Sequence, residues 1–211
     1  MSIIENFNDP IAMLDKVREH FNLKRYAFFE KGNLNLNIIG VRNLSGLADT
    51  FDDRLICLYK EDGTWVGKSY PITTEPGTRI LVNPIVSKGT AILMPDQYRG
   101  TYKIDIHGGK RKYQALCQRS GKVSVWRDSN RDRYPDTDGP VDVGMFGINI
   151  HRHFGPDDRE YTQGVSAGCQ VFQNSKDFYE FMALCNRSAD IWGNSFTYTL
   201  MNDLPFFDCK S

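Results

Sequence analysis

Several protein classes are excluded by what this 211-residue chain lacks. It has no excess charge: 26 basic residues face 26 acidic ones, so nothing in the composition demands nucleic acid or a membrane surface. Its five cysteines, Cys57, Cys117, Cys169, Cys185 and Cys209, are odd in number and widely spaced, with no Cys-x-x-Cys pair. That argues against a disulfide framework and a zinc knuckle and fits a chain made in a reducing cytosol. No apolar run approaches the roughly 20 residues of a membrane span, so no membrane insertion is expected. The first twenty residues include Glu5, Asp9, Asp15, Lys16, Arg18 and Glu19 and contain no apolar signal-peptide core. The expectation is a chain kept in the cytoplasm or released by another route. There is no repeat, low-complexity tract or linker, so residues 1–211 read as a single domain, expected to be a monomer.

What is present points to a β-rich fold. Hydrophobic residues make up 40% of the chain and charged ones 25%, enough apolar surface for one substantial core. The 13 Phe, 10 Tyr and 18 Gly favour strands joined by many turns. Asp9-Pro10 reads as a helix start, and Ile11, Leu14, Val17 and Phe21 recur at helical spacing, predicting a helix over 10–21 within an N-terminal arm of residues 1–30. From Asn33 the apolar positions alternate. Strands are predicted from Leu34 to Ile38, then at 54–59 and 64–70 around the Glu61-Asp62-Gly63 turn. Others are predicted at 91–94, 102–106, 113–118, 123–127, 145–151 and 195–201. A helix with Ser175 as its cap presents Phe178, Phe181, Met182 and Cys185 on one face. Cys57, Cys117 and Cys185 lie in apolar runs and read as buried structural thiols.

Cys169 stands apart. It sits in Ser166-Ala167-Gly168-Cys169-Gln170, and His151 ends the apolar run Phe146-Gly147-Ile148-Asn149-Ile150-His151. A thiol becomes a strong nucleophile on losing its proton, and a neighbouring imidazole can take that proton and later give it to the leaving group. Gly168 permits a sharp turn that aims backbone N–H groups at a developing oxyanion. Ser166 is suited to hold this loop or the imidazole. Asn149, or a backbone carbonyl, is suited to orient His151 from behind.

His151, fourteen residues, Ser166, one residue, Gly168 and Cys169 resembles the signature of the L,D-transpeptidase (YkuD-type) catalytic domain: a His, fourteen to seventeen residues, Ser or Thr, His, Gly and Cys. Pro76-Gly77 loosely resembles an upstream element of such domains. The resemblance implies a mainly β, sandwich- or barrel-like domain with a few flanking α-helices. It also implies a Cys–His acyl-enzyme mechanism on peptidoglycan stem peptides, with Cys169, His151, Gly168 and Ser166 at the catalytic centre and no cofactor. The family's second His is Ala167 here and its Arg two positions after the Cys is Val171, so substrate detail does not carry over. These departures suggest a divergent branch. The expected activity is stem-peptide hydrolysis as an L,D-carboxypeptidase or endopeptidase, by a phage endolysin or delivered effector that reaches the wall after release. Transpeptidation is the alternative.

Other constellations give competing readings. His151-x-His153 suits zinc, which with His107 or Cys169 would make a zinc hydrolase; otherwise His153 and Arg152 are substrate contacts at the mouth of the site. His107, before Gly108-Gly109, suits a cleft wall or a surface turn. Asp128-Ser129-Asn130-Arg131-Asp132, continuing to Asp136 and Asp138, has the alternating oxygens of a calcium loop. It lacks the Gly at the sixth position and the Glu at the twelfth, which favours a solvated acidic turn. The basic residues of 99–133 suit an anionic wall polymer or plain solvent exposure, with aromatics too sparse for nucleic acid. A non-catalytic wall-binding or phage structural module remains the bland alternative.

Overall fold

The computed structural model describes residues 9–44, 48–108, 112–157, 160–162, 164 and 166–203. In chain order its elements are α1 (Leu14–Lys24), β1 (Asn37–Arg42), β2 (Asp53–Glu61), β3 (Thr64–Thr73), α2 (Thr78–Val82), β4 (Thr90–Leu93), β5 (Asp96–His107), β6 (Tyr113–Gln118), β7 (Val123–Asp128), β8 (Val141–Gly144), β9 (Ile150–Arg152), β10 (Gln170–Phe172), α3 (Ser175–Trp192) and β11 (Phe196–Asn202). The fold is mainly β. Eight strands close a barrel in the order β1-β11-β5-β6-β9-β10-β3-β2, and β4, β7 and β8 form a separate three-stranded sheet. Closure removes the free edges an open sheet would present. Among the described residues, no helix is long and apolar enough to cross a membrane.

Strand alternation builds two apolar layers. Ile38, Leu55 and Cys57 point into the barrel interior, while Ile39, Val41, Ile56 and Leu58 point outward beneath α1. The helix covers that outer face with Leu14, Val17 and Phe21, and Phe21 meets Tyr26 and Phe28 edge-on. From residue 9 on, the N-terminal arm thus lays a helix on the barrel wall; residues 1–8 lie outside the described ones. β2 and β3 pair residue by residue from Asp53↔Ile72 to Glu61↔Thr64. Asp62 (φ 48°) and Gly63 (φ 80°) turn the chain between them, the left-handed pair that a tight hairpin requires.

Several boundaries differ from the sequence pattern. Asp9 accepts the N–H groups of Ile11 and Ala12 at 3.2 Å, closing a turn before the helix, which therefore starts at Leu14 instead of Pro10. Leu34 has φ 55° and its N–H bonds the Lys60 carbonyl, so the strand predicted from Leu34 begins only at Asn37, as β1. The predicted 145–151 strand is broken at Gly147 (φ 72°), leaving only Ile150–Arg152 as β9. Asn174, not Ser175, flanks α3, and the Ser175 N–H donates to Asp157 at 2.7 Å. The apolar face of α3 lies where expected: Phe178, Phe181, Met182 and Cys185 are buried, and Phe178 and Phe181 pack on Phe172 of β10. Burying each such ring is worth about 1.5–3 kcal/mol.

One buried ionic cluster ties the barrel rim to the loops beyond it. Arg42, fully buried at the end of β1, donates from Nε to Thr74 Oγ1 (2.9 Å) and from Nη2 to the Thr74 carbonyl (3.1 Å). Asp53 accepts the N–H groups of Asn43 (2.8 Å) and Thr74 (2.6 Å). Two residues beyond Glu75, the Gly77 N–H bonds the Ser166 carbonyl at 3.0 Å. The counter-charge of Arg42 is Glu75, 3.8 Å from its Nε, so Asp53→Ala would leave two N–H groups without acceptors and the ion pair in place. It is expected to destabilise the chain by about 1–3 kcal/mol, read as a lower urea midpoint.

Candidate active site

Two short strands bring the candidate residues together. β9 and β10 run parallel in the barrel wall with Gln170↔Ile150, Val171↔His151 and Phe172↔Arg152 in register. The pairing continues outward through Gln170 N–H to the Asn149 carbonyl (2.9 Å) and His153 N–H to the Phe172 carbonyl (3.0 Å). His151 faces the same way as Val171, its partner in register, and Cys169 directly precedes β10, two residues before Val171. The Tyr113 hydroxyl lies 3.5 Å from His151 Nδ1, and an ionised Cys169 would oppose charge on the same phenol.

The imidazole is held in one tautomer. His151 Nδ1 lies 2.9 Å from the Arg152 carbonyl, and because a carbonyl only accepts, Nδ1 carries the proton and Nε2 the lone pair. The backbone carbonyl, not Asn149, thus orients the ring. Asn149 serves the next ring instead. Its Oδ1 accepts the Gln118 N–H at 2.9 Å, which assigns the amide and makes Nδ2 the donor to His107 Nδ1 at 3.0 Å. His107 then stacks on His151 with centroids 4.2 Å apart and planes 19° apart. Burial pushes His151 down to about 3, and the neighbouring His107 opposes a second positive charge. His107 is lowered too, by burial and then by Arg119.

Cys169 is half-buried. Its sulfur accepts the Asn149 N–H at 3.4 Å and lies 3.6 Å from the Gly147 carbonyl. Burial pushes the thiol up to about 11; the Asn149 N–H pulls the other way, and Cys117 adds to the rise. At neutral pH the pair therefore rests as thiol and neutral imidazole, with the proton still on sulfur.

The loop before the thiol is shaped by Ser166 and Gly168. Ser166 Oγ donates to the Cys169 carbonyl (2.9 Å) and accepts the Gly168 N–H (3.2 Å), closing a tight turn. That bond takes the Gly168 N–H that was expected to serve an oxyanion, leaving the Cys169 N–H as the donor beside the sulfur. Gly168 has φ 112° and its α-carbon faces the Ala91 carbonyl so closely that a Cβ would collide with it. Glycine is required here by both conformation and space.

The remaining predicted residues fall in different places. His107 is in the site, stacked on His151. Arg152 lies over the rings of Tyr113 (4.9 Å), Phe154 (5.2 Å) and Tyr179 (5.7 Å), next to the site but pinned by aromatics. His153 is 2% exposed and packs edge-on against Phe51, so it does not line the mouth as expected; it follows the end of β9, with its N–H on the Phe172 carbonyl. A charge on His153 would oppose one on His151. Among the described residues, no three His, Cys, Asp or Glu side chains converge as a metal site.

Sequence reasoning missed three contributors. Gln118 Oε1 accepts the N–H groups of Phe146 (3.1 Å), Gly147 (2.9 Å) and Ile148 (3.2 Å), holding the strand that leads to His151. The Tyr113 hydroxyl lies beside His151, and an open pocket of about 180 Å³ adjoins the Cys169 loop, lined by Ile80, Ile85, Phe146, Ala167 and Arg127. The apolar character of 146–150 was the one visible hint; nothing local marks Gln118 or Tyr113. No family model matches the chain, and no curated protein or solved structure matches it significantly, so the site is interpreted from its own geometry.

Two outcomes are expected. With Cys209 replaced by Ser, alkylation of Cys169 by iodoacetamide should rise about tenfold per pH unit from pH 7 to 9, because only the thiolate reacts. A plateau below pH 7 would instead indicate a thiolate–imidazolium pair. Gly168→Ala should destabilise by about 1–3 kcal/mol through strain at a left-handed position and alter that alkylation rate.

Proposed function

We propose that the chain is a cysteine acyl-transfer enzyme of the L,D-transpeptidase type, hydrolysing peptidoglycan stem peptides. The observation that carries this reading is the register that sets His151 opposite Val171, two residues after Cys169, with His151 Nδ1 committed to the Arg152 carbonyl. An imidazole so oriented keeps Nε2 as a base, and its neutral state at physiological pH suits proton abstraction.

In the proposed mechanism, Nε2 takes the proton from Sγ as sulfur attacks the substrate carbonyl carbon. The oxyanion is met by the Cys169 N–H. The imidazolium, disfavoured by burial and by His107, readily returns its proton to the departing amine, and the C–N bond breaks to leave a thioester. His151 then deprotonates a water that attacks the thioester, and the thiol leaves with the proton restored. An amine in place of water yields a cross-link by the same steps. The adjoining pocket, with Arg127 stacked on Phe146 at 4.6 Å, offers an apolar wall and a cationic edge to a substrate beside the thiol.

On purified sacculi, Cys169→Ala should abolish product formation, and His151→Ala should lower it by about 10²–10⁴-fold. Muropeptides are to be read by mass spectrometry, with folding checked by circular dichroism. Loss of tetrapeptide with gain of tripeptide identifies the carboxypeptidase, whereas new cross-links identify the transpeptidase. Undiminished turnover by Cys169→Ala would refute the dyad; if that turnover were also lost to a chelator, a zinc hydrolase would replace it. Sacculus binding with no product from the wild type would point to a binding module.

A further inference from the structure

β9 and β10 are parallel, so the chain between them leaves the barrel wall and returns before it presents Cys169. On the way back its described residues are fastened by Asp49, from the stretch between β1 and β2. The Asp49 carbonyl accepts the Thr162 N–H at 2.7 Å. Its Oδ1 accepts the Thr162 hydroxyl and, at 3.4 Å, the Gly164 N–H. Its Oδ2 accepts the Thr78 hydroxyl at 3.3 Å. Thr50, next in the chain, bridges Tyr161.

Three segments therefore meet at this carboxylate: the β1–β2 connection, the start of α2 and the approach to Cys169. They meet closely, because a Cβ on Gly77 would collide with Asp49 Oδ1 and with the Gly164 backbone. Thr162 is fully buried, so its hydroxyl is desolvated and costly to leave without an acceptor. Asp49 itself has φ 75°, a left-handed conformation that Asp and Asn tolerate and Ala resists. The clamp continues to the thiol. Two residues after Gly164, the Ser166 carbonyl takes the Gly77 N–H at 3.0 Å, and Ser166 Oγ closes the turn at Gly168 and Cys169.

We propose that Asp49 is a positioning residue for Cys169, setting the depth at which the loop holds the thiol. Its work is to accept hydrogen bonds, so a carboxamide keeps the arrangement. Oδ1 still accepts from Thr162 and Gly164, and Nδ2 donates to the Thr78 hydroxyl. Without those acceptors, the approach to Cys169 is released from α2. The sulfur then moves toward water, where it ionises more readily, and away from the Asn149 N–H. Exposure raises reactivity toward a small reagent, while misplacement lowers any reaction that needs His151, so the two readouts move in opposite directions. The effect on turnover rests on Cys169 being the nucleophile; the effect on alkylation does not.

The test compares Asp49→Ala, Asp49→Asn and Thr162→Val in full chains carrying Cys209→Ser. Alkylation of Cys169 by iodoacetamide is followed from pH 7 to 10, with urea midpoints measured alongside. Asp49→Ala should react about three- to tenfold faster at pH 8, with its profile moved to lower pH. Thr162→Val should follow it to a lesser extent, and decides the matter if Asp49→Ala does not fold. Asp49→Asn should match the wild type. On sacculi, Asp49→Ala should lose about tenfold or more in turnover, and Asp49→Asn should retain most of it. A lowered urea midpoint with unchanged alkylation rate and pH profile would overturn the proposal, as would Asp49→Asn reacting like Asp49→Ala. Alkylation needs no substrate, so a wild type inert on sacculi would refute the peptidase and leave the alkylation result to decide on Asp49.

Discussion

The pairing of β9 with β10 is the constraint on which the site depends. Each strand has three residues, too few to be stable alone, and the pair is parallel, so no hairpin joins them. Buried amides hold the register from outside. Gln118 accepts three consecutive N–H groups from 146–148 and donates to the carbonyls of Gly121 and Gly144 at 3.0 Å each. On the other side, Tyr198 donates to Gln170 Oε1 at 2.7 Å from within the barrel. A carboxamide donates and accepts without an ionic desolvation cost, so it can satisfy backbone groups where a charge would be expensive.

The same preference for neutral groups sets the electrostatics of the dyad. No carboxylate contacts His151 in the described structure; a backbone carbonyl holds its Nδ1, and a neutral imidazole stacks on its face. Without an anionic partner, burial dominates, which keeps His151 unprotonated and Cys169 a thiol. At rest the proton therefore stays on sulfur. Ser166 and Gly168 close the loop before Cys169 through bonds to one another's neighbourhood, and Gly77 ties it to the rim where Arg42 and Asp53 are buried.

Some of this was legible in the residues. The β2–β3 hairpin followed from alternation around Asp62-Gly63, because both signals are local and the turn needs left-handed conformations that Asp and Gly tolerate. The stripe Phe178, Phe181, Met182 and Cys185 disclosed the buried face of α3. The Gly168-Cys169 turn was legible because its steric demand lies within three residues. By contrast α2, β8 and β10 are three to five residues long, shorter than any period can reveal. Gln118 acts on residues 28 to 30 positions away, and Asn149 reaches His107 across 42, contacts that no window of sequence contains.

The sequence by itself determined the mainly β class, the N-terminal helix that covers one side of the barrel, and the turn chemistry at Gly63 and Gly168. Each is a local preference of backbone or a periodic burial pattern. Only the tertiary structure decided which ring stacks on His151, which nitrogen of that ring is free, that His153 is a core residue, and that the thiol and imidazole are both neutral. Those outcomes depend on barrel closure and on burial, which are set by strands brought together from distant parts of the chain.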